Sequence, residues 1–137
     1  MSQWTRDDAV PDGELRVWLD DLLIDRAAPD GWVQVTSAPA AIALLQTGQV
    51  IELSLDHDLG DDDVAGKGVH VVDYIAEQQV TAGRDLWPRD GIMIHSANAA
   101  GREQMARTIE RYARELHHVR RSLTRNGQPR FTFERRT

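Results

Sequence analysis

Short apolar runs and helical stripes alternate along the chain. Leu15 to Leu19 is a Leu-, Val- and Trp-rich run closed by Asp20 and Asp21, and it predicts a buried strand. A polar connector with Pro29, Asp30 and Gly31 leads to a second strand at Trp32 to Thr36. Ser37 then has the character of an N-cap, with Pro39 in the first turn and Gly48 as the stop of a short helix over 38–47. Val50 to Leu55 predicts a third strand, again closed by acids, and a loop of glycines and aspartates follows over 60–68. Val69, Val72, Ile75, Ala76 and Val80 recur at helical spacing until Gly83. Beyond a turn at Pro88 to Gly91, Ile92 to His95 predicts a fourth strand. The clearest stripe follows it: Met105, Ile109, Tyr112, Leu116 and Val119 predict one long helix starting near Gly101. Asn126 and Gly127 turn the chain into a last segment, Arg130 to Glu134, whose alternation predicts an edge strand.

Strands alternating with helices predict an α/β domain of three layers, doubly wound, with a mostly parallel sheet. At 137 residues the chain has room for one such domain, taken as 14–137, after an N-terminal arm over 1–13. No apolar run reaches the roughly 18 residues of a membrane helix, and there is no cysteine for disulfides, thiolate metal sites or thiol nucleophiles. The amino end lacks the basic-then-apolar pattern of a signal peptide, so a cytoplasmic location is expected. The net charge of −6 hides an asymmetry. Residues 1–101 carry 6 basic and 18 acidic side chains, whereas residues 102–137 carry 10 arginines and 4 glutamates. An acidic body therefore ends in a basic segment, which attracts phosphate-bearing partners or simply solvates a helix face.

In open parallel sheets the ligand site lies outside the carboxyl ends of the strands. Three of the predicted strands end there in potential chemistry: Asp20 and Asp21; Asp56, His57 and Asp58; and His95 and Ser96 with Asn98 beyond. Two carboxylates about 4 Å apart repel by about 4 kcal/mol at an effective dielectric near 20. Gathering Asp20, Asp21 and Asp56, with Asp58 as a fourth candidate, thus requires either a retained proton or a hard divalent cation, Mg2+ or Mn2+ before zinc. The competing reading is that these acids cap the following helices. His57 and His95 are candidates for acid and base on opposite sides of a phosphodiester, or for structural hydrogen bonding. Ser96 and Asn98 precede a helix amino end and fit either capping or the cradling of a phosphate. Asp61 to Asp63 read as solvated surface, His70 as surface or rim, and His117 with His118 as poor metal geometry on the long helix. Gly66-Lys67-Gly68 lacks the spacing of a phosphate-binding loop.

Taken together, Leu15 to Asp21, Asp30-Gly31-Trp32, Ser54 to Gly60, Gly68 to Ile75, and Ile94 to Asn98 with Gly101 and Met105 resemble the cyclic-phosphate processing receiver domain family over residues 14–118. The doubled Asp and the Leu-Asp-His-Asp-Leu-Gly run carry the likeness jointly. The resemblance implies the receiver fold with strand order 2-1-3-4-5. It matches Asp20 and Asp21 to a receiver's metal-holding acids, Asp56 to its phosphoacceptor, and Ser96 to its hydroxyl residue. The lysine that a receiver carries on its fifth strand is not matched. Lys67 is the only lysine here and lies after the third strand.

The implied activity is the processing of a 2',3'-cyclic phosphate at an RNA end or on a nucleotide. A divalent ion would sit on Asp20, Asp21 and Asp56, with His57 and His95 as acid and base, or Asp56 would act as a nucleophile. The implied partners are an RNA end or cyclic nucleotide and proteins of RNA repair or conflict systems, with no membrane. Two other readings stay open: a divergent phosphoacceptor receiver acting as a signalling switch, and a module that binds a nucleotide or RNA end without turnover.

Overall fold

A computed structural model describes residues 3–21, 27–57, 59 and 66–136. Six strands form one sheet: β1 (Leu15–Leu19), β2 (Val33–Val35), β3 (Val50–Leu55), β4 (Ile92–Ile94), β5 (His117–Leu123) and β6 (Pro129–Arg135). Among the described residues three helices connect them: α1 (Ala38–Gln46), α2 (Gly68–Ala82) and α3 (Ala99–Ala113). The strand order is β2-β1-β3-β4-β6-β5. The first four strands are parallel, and the last two form an antiparallel hairpin added at the β4 side. This is an α/β receiver-like architecture, and its strand order reverses between β1 and β3, which is where such sheets bind ligands.

Two differences from the sequence-based expectation concern the basic end. The long helix stops at Ala113, and Leu116 to Val119 belong to a turn and to β5, so His117 and His118 open a strand. The predicted edge strand, now β6, lies inside the sheet between β4 and β5. The helix ends early because distant side chains take its last carbonyls. Gln79 Nε2 donates to Tyr112 O at 2.9 Å, and Arg136 Nε donates to Arg114 O at 2.8 Å.

The two faces of the sheet differ in character. Leu15, Val17, Leu19, Leu53, Leu55, Ile92, Ile94 and Phe131 point to one face and form a single buried cluster with α1, α2 and α3. The helices pack side by side, α1 on α2 and α2 on α3. Between them, strands β2, β3 and β4 advance across the sheet in one direction, and right-handed crossovers place all three helices on that face. The β1 to β2 connection steps the opposite way and crosses the other face, where Ala28 N donates to Gln34 Oε1 at 2.7 Å.

That second face is polar. Glu52 is 6% exposed and is held by two arginines: Arg16 Nη1 pairs with its Oε1, and Arg130 Nη1 lies 2.9 Å from its Oε2. Arg16 also reaches Asp90 at 2.9 Å. Burial pushes the Asp90 carboxyl up, but hydrogen bonds from Arg89 and Arg16 outweigh it and hold the group below the usual carboxylate range. A buried acid is tolerated only when it is paired, and these pairs satisfy Glu52. The N-terminal arm lies along the β2 edge. Trp4 N donates to Gln34 O at 2.8 Å, and the indole is buried, with Nε1 donating to Ala9 O.

Phe131 is fully buried opposite Ile92 and ties the hairpin to the parallel strands. Phe131→Ala is expected to lower stability by about 3–5 kcal/mol in urea unfolding. Leu123→Ala, at a side chain 68% exposed, is expected to change it by less than about 0.5 kcal/mol.

Candidate functional site

The carboxyl ends of β1, β3 and β4 meet at one rim, because backbone hydrogen bonds continue past the strands. Asp20 N donates to Val35 O at 3.0 Å, Asp56 N to Leu19 O at 2.9 Å, and His95 N to Leu55 O at 2.9 Å. Adjacent parallel strands in register thus deliver their next residues to the same level. One carboxylate oxygen each from Asp20, Asp21 and Asp56 lies within 4.8 Å of the others. Asp20 is fully buried, Asp56 is 3% exposed, and Asp21 is half-buried. Asp58 and Asp61 to Asp63 lie outside the described residues.

Asp20 is fixed at three points. Beside its backbone N–H bond, its carbonyl accepts from Gln34 Nε2 at 2.7 Å, and its Oδ2 lies 3.0 Å from His95 Nε2. His95 is itself held on every side. Its Nδ1 lies 2.7 Å from Ser54 Oγ, and its ring stacks on Trp18 at 4.3 Å between centroids and 13° between planes. Trp32 meets Trp18 edge to face at 5.7 Å. Both imidazole nitrogens are therefore committed within the protein, and the residue is 5% exposed. This placement does not suit His95 to the expected proton exchange with a substrate, and it suits the ring to orienting the Asp20 carboxylate.

His57 is equally enclosed at 5% exposed. Its ring lies against Gly101, where an added Cβ would stand 2.5 Å from Cγ. Its carbonyl accepts from Gly68 N at 3.0 Å, and its N–H donates to Asp56 Oδ1 at 2.8 Å. His57 thus lies between the β3 end and the amino ends of α2 and α3, and its backbone supplies a hydrogen bond to Asp56. Gly68 approaches closer still, since a Cβ there would sit 2.1 Å from Asp56 O.

Ser96 and Asn98 shape the start of α3. Asn98 Oδ1 accepts from Gly101 N at 2.9 Å as the N-cap, and Ser96 Oγ accepts from Asn98 N at 3.1 Å. Arg102, absent from the sequence-based candidates, folds back so that Nη1 donates to Ser96 O at 2.7 Å. A guanidinium is thereby held beside the β4 end. The discounted histidines have structural partners: His70 Nδ1 accepts from Lys67 N at 2.9 Å, and His117 Nε2 lies 2.7 Å from Asp85 Oδ2. Lys67 begins α2 as its N-cap, directly before Gly68.

Oxygen ligands from two buried carboxylates and one half-buried carboxylate form a hard donor set, and their spacing is one a divalent cation spans. The sequence assigned no place in the site to Gln34, and although Trp18, Ser54, Gly68 and Gly101 lie in or beside the stretches that carry the resemblance, it did not show their contacts with His95, Asp56 and His57. The first three look like ordinary strand residues or, for Trp18, part of an apolar run, and the glycines touch His57 or Asp56 only through the fold. Replacing glycine by alanine inside a helix ordinarily stabilises it by up to about 1 kcal/mol. Here Gly101→Ala and Gly68→Ala are each expected to cost about 1–3 kcal/mol in urea unfolding through overpacking. An increase in stability of either variant refutes the packing described.

No curated protein and no solved structure matches the chain. The family model of the cyclic-phosphate processing receiver domain matches residues 15–111, which span all four parallel strands, α1, α2, all but the last two residues of α3, and every residue of the acidic rim. The chain belongs to the cyclic-phosphate processing receiver domain family.

Proposed function

We propose that this domain opens 2',3'-cyclic phosphates of RNA ends or nucleotides, with Asp20, Asp21 and Asp56 holding Mg2+ or Mn2+. The observation that carries this reading is the convergence of those three carboxylates within 4.8 Å at the switch point of the sheet. Their mutual repulsion is a standing cost unless a cation shares the space. When bound, such an ion polarises a phosphoryl oxygen and lowers the pKa of a water it carries.

The protein's own groups divide the remaining work. His95, clamped by Ser54 and Trp18, keeps one oxygen of Asp20 turned towards its imidazole and leaves the carboxylate a single orientation at the cluster. The His57 N–H does the same for Asp56 Oδ1. Ser96, Asn98 and Arg102 form the β4 side of the rim, where the amino end of α3 and a guanidinium favour an anionic phosphate. The product of ring opening by water is a phosphomonoester. A covalent route through Asp56 remains an alternative, because Asp56 and Ser96 stand at the strand ends where a receiver carries its phosphoacceptor and hydroxyl.

Purified protein incubated with a 2',3'-cyclic nucleotide and Mn2+ is expected to yield a phosphomonoester, with loss of turnover in chelator and in Asp20→Asn and Asp56→Asn. Calorimetric titration with Mn2+ alone is expected to show binding that both variants abolish. His95→Ala is expected to weaken that binding by about 10–100-fold, with saturating metal restoring most of the turnover. Undiminished turnover in chelator defeats the proposal. In a single turnover quenched in acid, a covalent route adds the mass of the nucleotide to the protein as an acyl phosphate on Asp56, whereas direct attack by water leaves the protein's mass unchanged.

A further inference from the structure

The β5–β6 hairpin is the part of the molecule that the acidic rim does not use, and it carries the opposite charge. Residues 102–137 hold 10 arginines against 4 glutamates. Some of these arginines have structural work: Arg130 pairs with Glu52, Arg135 with Asp85, and Arg121 with Glu110 while lying over the Phe131 ring. Arg120 and Arg125 are exposed, and among the described residues neither is paired with a carboxylate. Charge left facing solvent on an otherwise acidic protein has no fold to serve.

Register fixes where those charges lie. Arg130 sits opposite Met93 in an antiparallel pair, so the residues before β6 continue past the end of β4 towards the level of His95 and Ser96. The hairpin turn therefore projects at the same end of the sheet as Asp20, Asp21 and Asp56. The turn is well fixed: Thr124 N donates to Gln128 O at 2.8 Å, Gly127 N donates to Thr124 O at 2.9 Å, and Gly127 takes a φ of 79°. Arg125 lies within it. Arg120 points to the polar face of the sheet, opposite Thr132 and so level with the start of β4, about 13 Å along the strand from the rim, in a shallow depression of about 280 Å3 that His118, Thr132 and Glu134 also line. Among the described residues no helix lies over this part of that face.

We infer that the arginine-bearing hairpin, through Arg120 and Arg125, is the docking surface for the sugar-phosphate backbone of a single RNA strand whose 3' end lies at the acidic rim. This rests on the proposed function and narrows its substrate from a cyclic mononucleotide to an oligonucleotide terminus. Strands lie about 4.8 Å apart, so β6 and β5 stand about 10 and 14 Å from β3. At about 3.4 Å per stacked nucleotide, roughly three to four nucleotides reach the turn with Arg125, and roughly five to six reach Arg120, which lies about 19 Å away on the diagonal. The charge pattern is complementary along the same path. Phosphates upstream of the end meet guanidiniums, whereas the rim on its own repels the strand, so the backbone contact supplies attraction that the rim lacks.

The test uses a fluorescent RNA hexamer ending in a 2',3'-cyclic phosphate, with anisotropy measured as a function of salt on the full chain. Removing two phosphate contacts to a single strand lowers the slope of log K against log salt by about 1.4, which at 0.1 M salt is about 25-fold in affinity. Arg120→Ala/Arg125→Ala is expected to show both changes. Arg107→Ala/Arg111→Ala, an equal change of charge on the exposed face of α3, is expected to show neither. Both double variants are expected to turn over the 2',3'-cyclic mononucleotide like the parent. If the mononucleotide is hydrolysed but the hexamer binds equally to all three proteins, the docking surface is refuted and the activity stands. If nothing is hydrolysed but hexamer binding falls only in Arg120→Ala/Arg125→Ala, the surface stands and the activity is refuted. Equal losses in the two double variants reduce the effect to net charge and overturn the inference. Tighter binding of a polyglutamate peptide than of the hexamer overturns it too, and marks the hairpin as a surface for an acidic protein.

Discussion

Three carboxylates held within 4.8 Å of one another oppose the fold that holds them, and the surroundings of Asp20 and Asp56 are organised against that repulsion. Asp20 is fully buried, yet its N–H, its carbonyl and one carboxylate oxygen each have a partner on one of two other elements: β2 through Val35 and Gln34, and the β4 end through His95. A buried charge with such contacts can neither turn away from its neighbours nor reach water. Asp56 is fixed by the backbone of β1 on one side and by the close passage of Gly68 on the other. A protein that needed only N-caps at these strand ends has no reason to bury two of the three acids and brace them from behind.

The bracing accounts for the asymmetry of the sheet. All three helices crowd one face with Leu, Ile, Val and Phe131, which makes that face a rigid floor. On the other face the strands carry Gln34, Trp18, Ser54, Arg16, Glu52 and Arg130, and these are partnered instead of packed: Gln34 with Asp20, Trp18 and Ser54 with His95, Glu52 with both arginines. The polar face therefore runs from the back of the acidic rim to the ion pairs around Glu52. It depends on β6 being inside the sheet, because Arg130 reaches Glu52 only from the strand next to β4.

Much of the framework was legible in the sequence, and the reasons are local. An apolar run that stops at an aspartate marks both the strand and its functional end, so Asp20, Asp21, Asp56 and His95 stood out without any knowledge of contacts. The α3 boundary was not legible, because Leu116 and Val119 continue a helical stripe and the side chains that end the helix, Gln79 and Arg136, lie far away in the chain. Strand β5 hid its alternation for a related reason. Its positions facing the helices are His117, Val119, Arg121 and Leu123, and Arg121 occupies an apolar position by laying its guanidinium over Phe131. The placement of the histidines was not legible either, because a sequence shows that an imidazole is near carboxylates but not that both nitrogens of His95 are engaged within the protein or that the His57 ring packs against Gly101.

The enclosure of His95 and His57 bears on the acid-base pair expected of them. Each residue is 5% exposed, and each has a contact that serves an acid: the His95 ring with Asp20 and the His57 N–H with Asp56. Asp21 is the half-buried member of the cluster, beside one fully buried acid and one 3% exposed. Burial disfavours the charged form of a carboxylate, so the repulsion within the cluster weighs most on Asp20 and Asp56, and those are the two acids that hydrogen bonds from the protein brace.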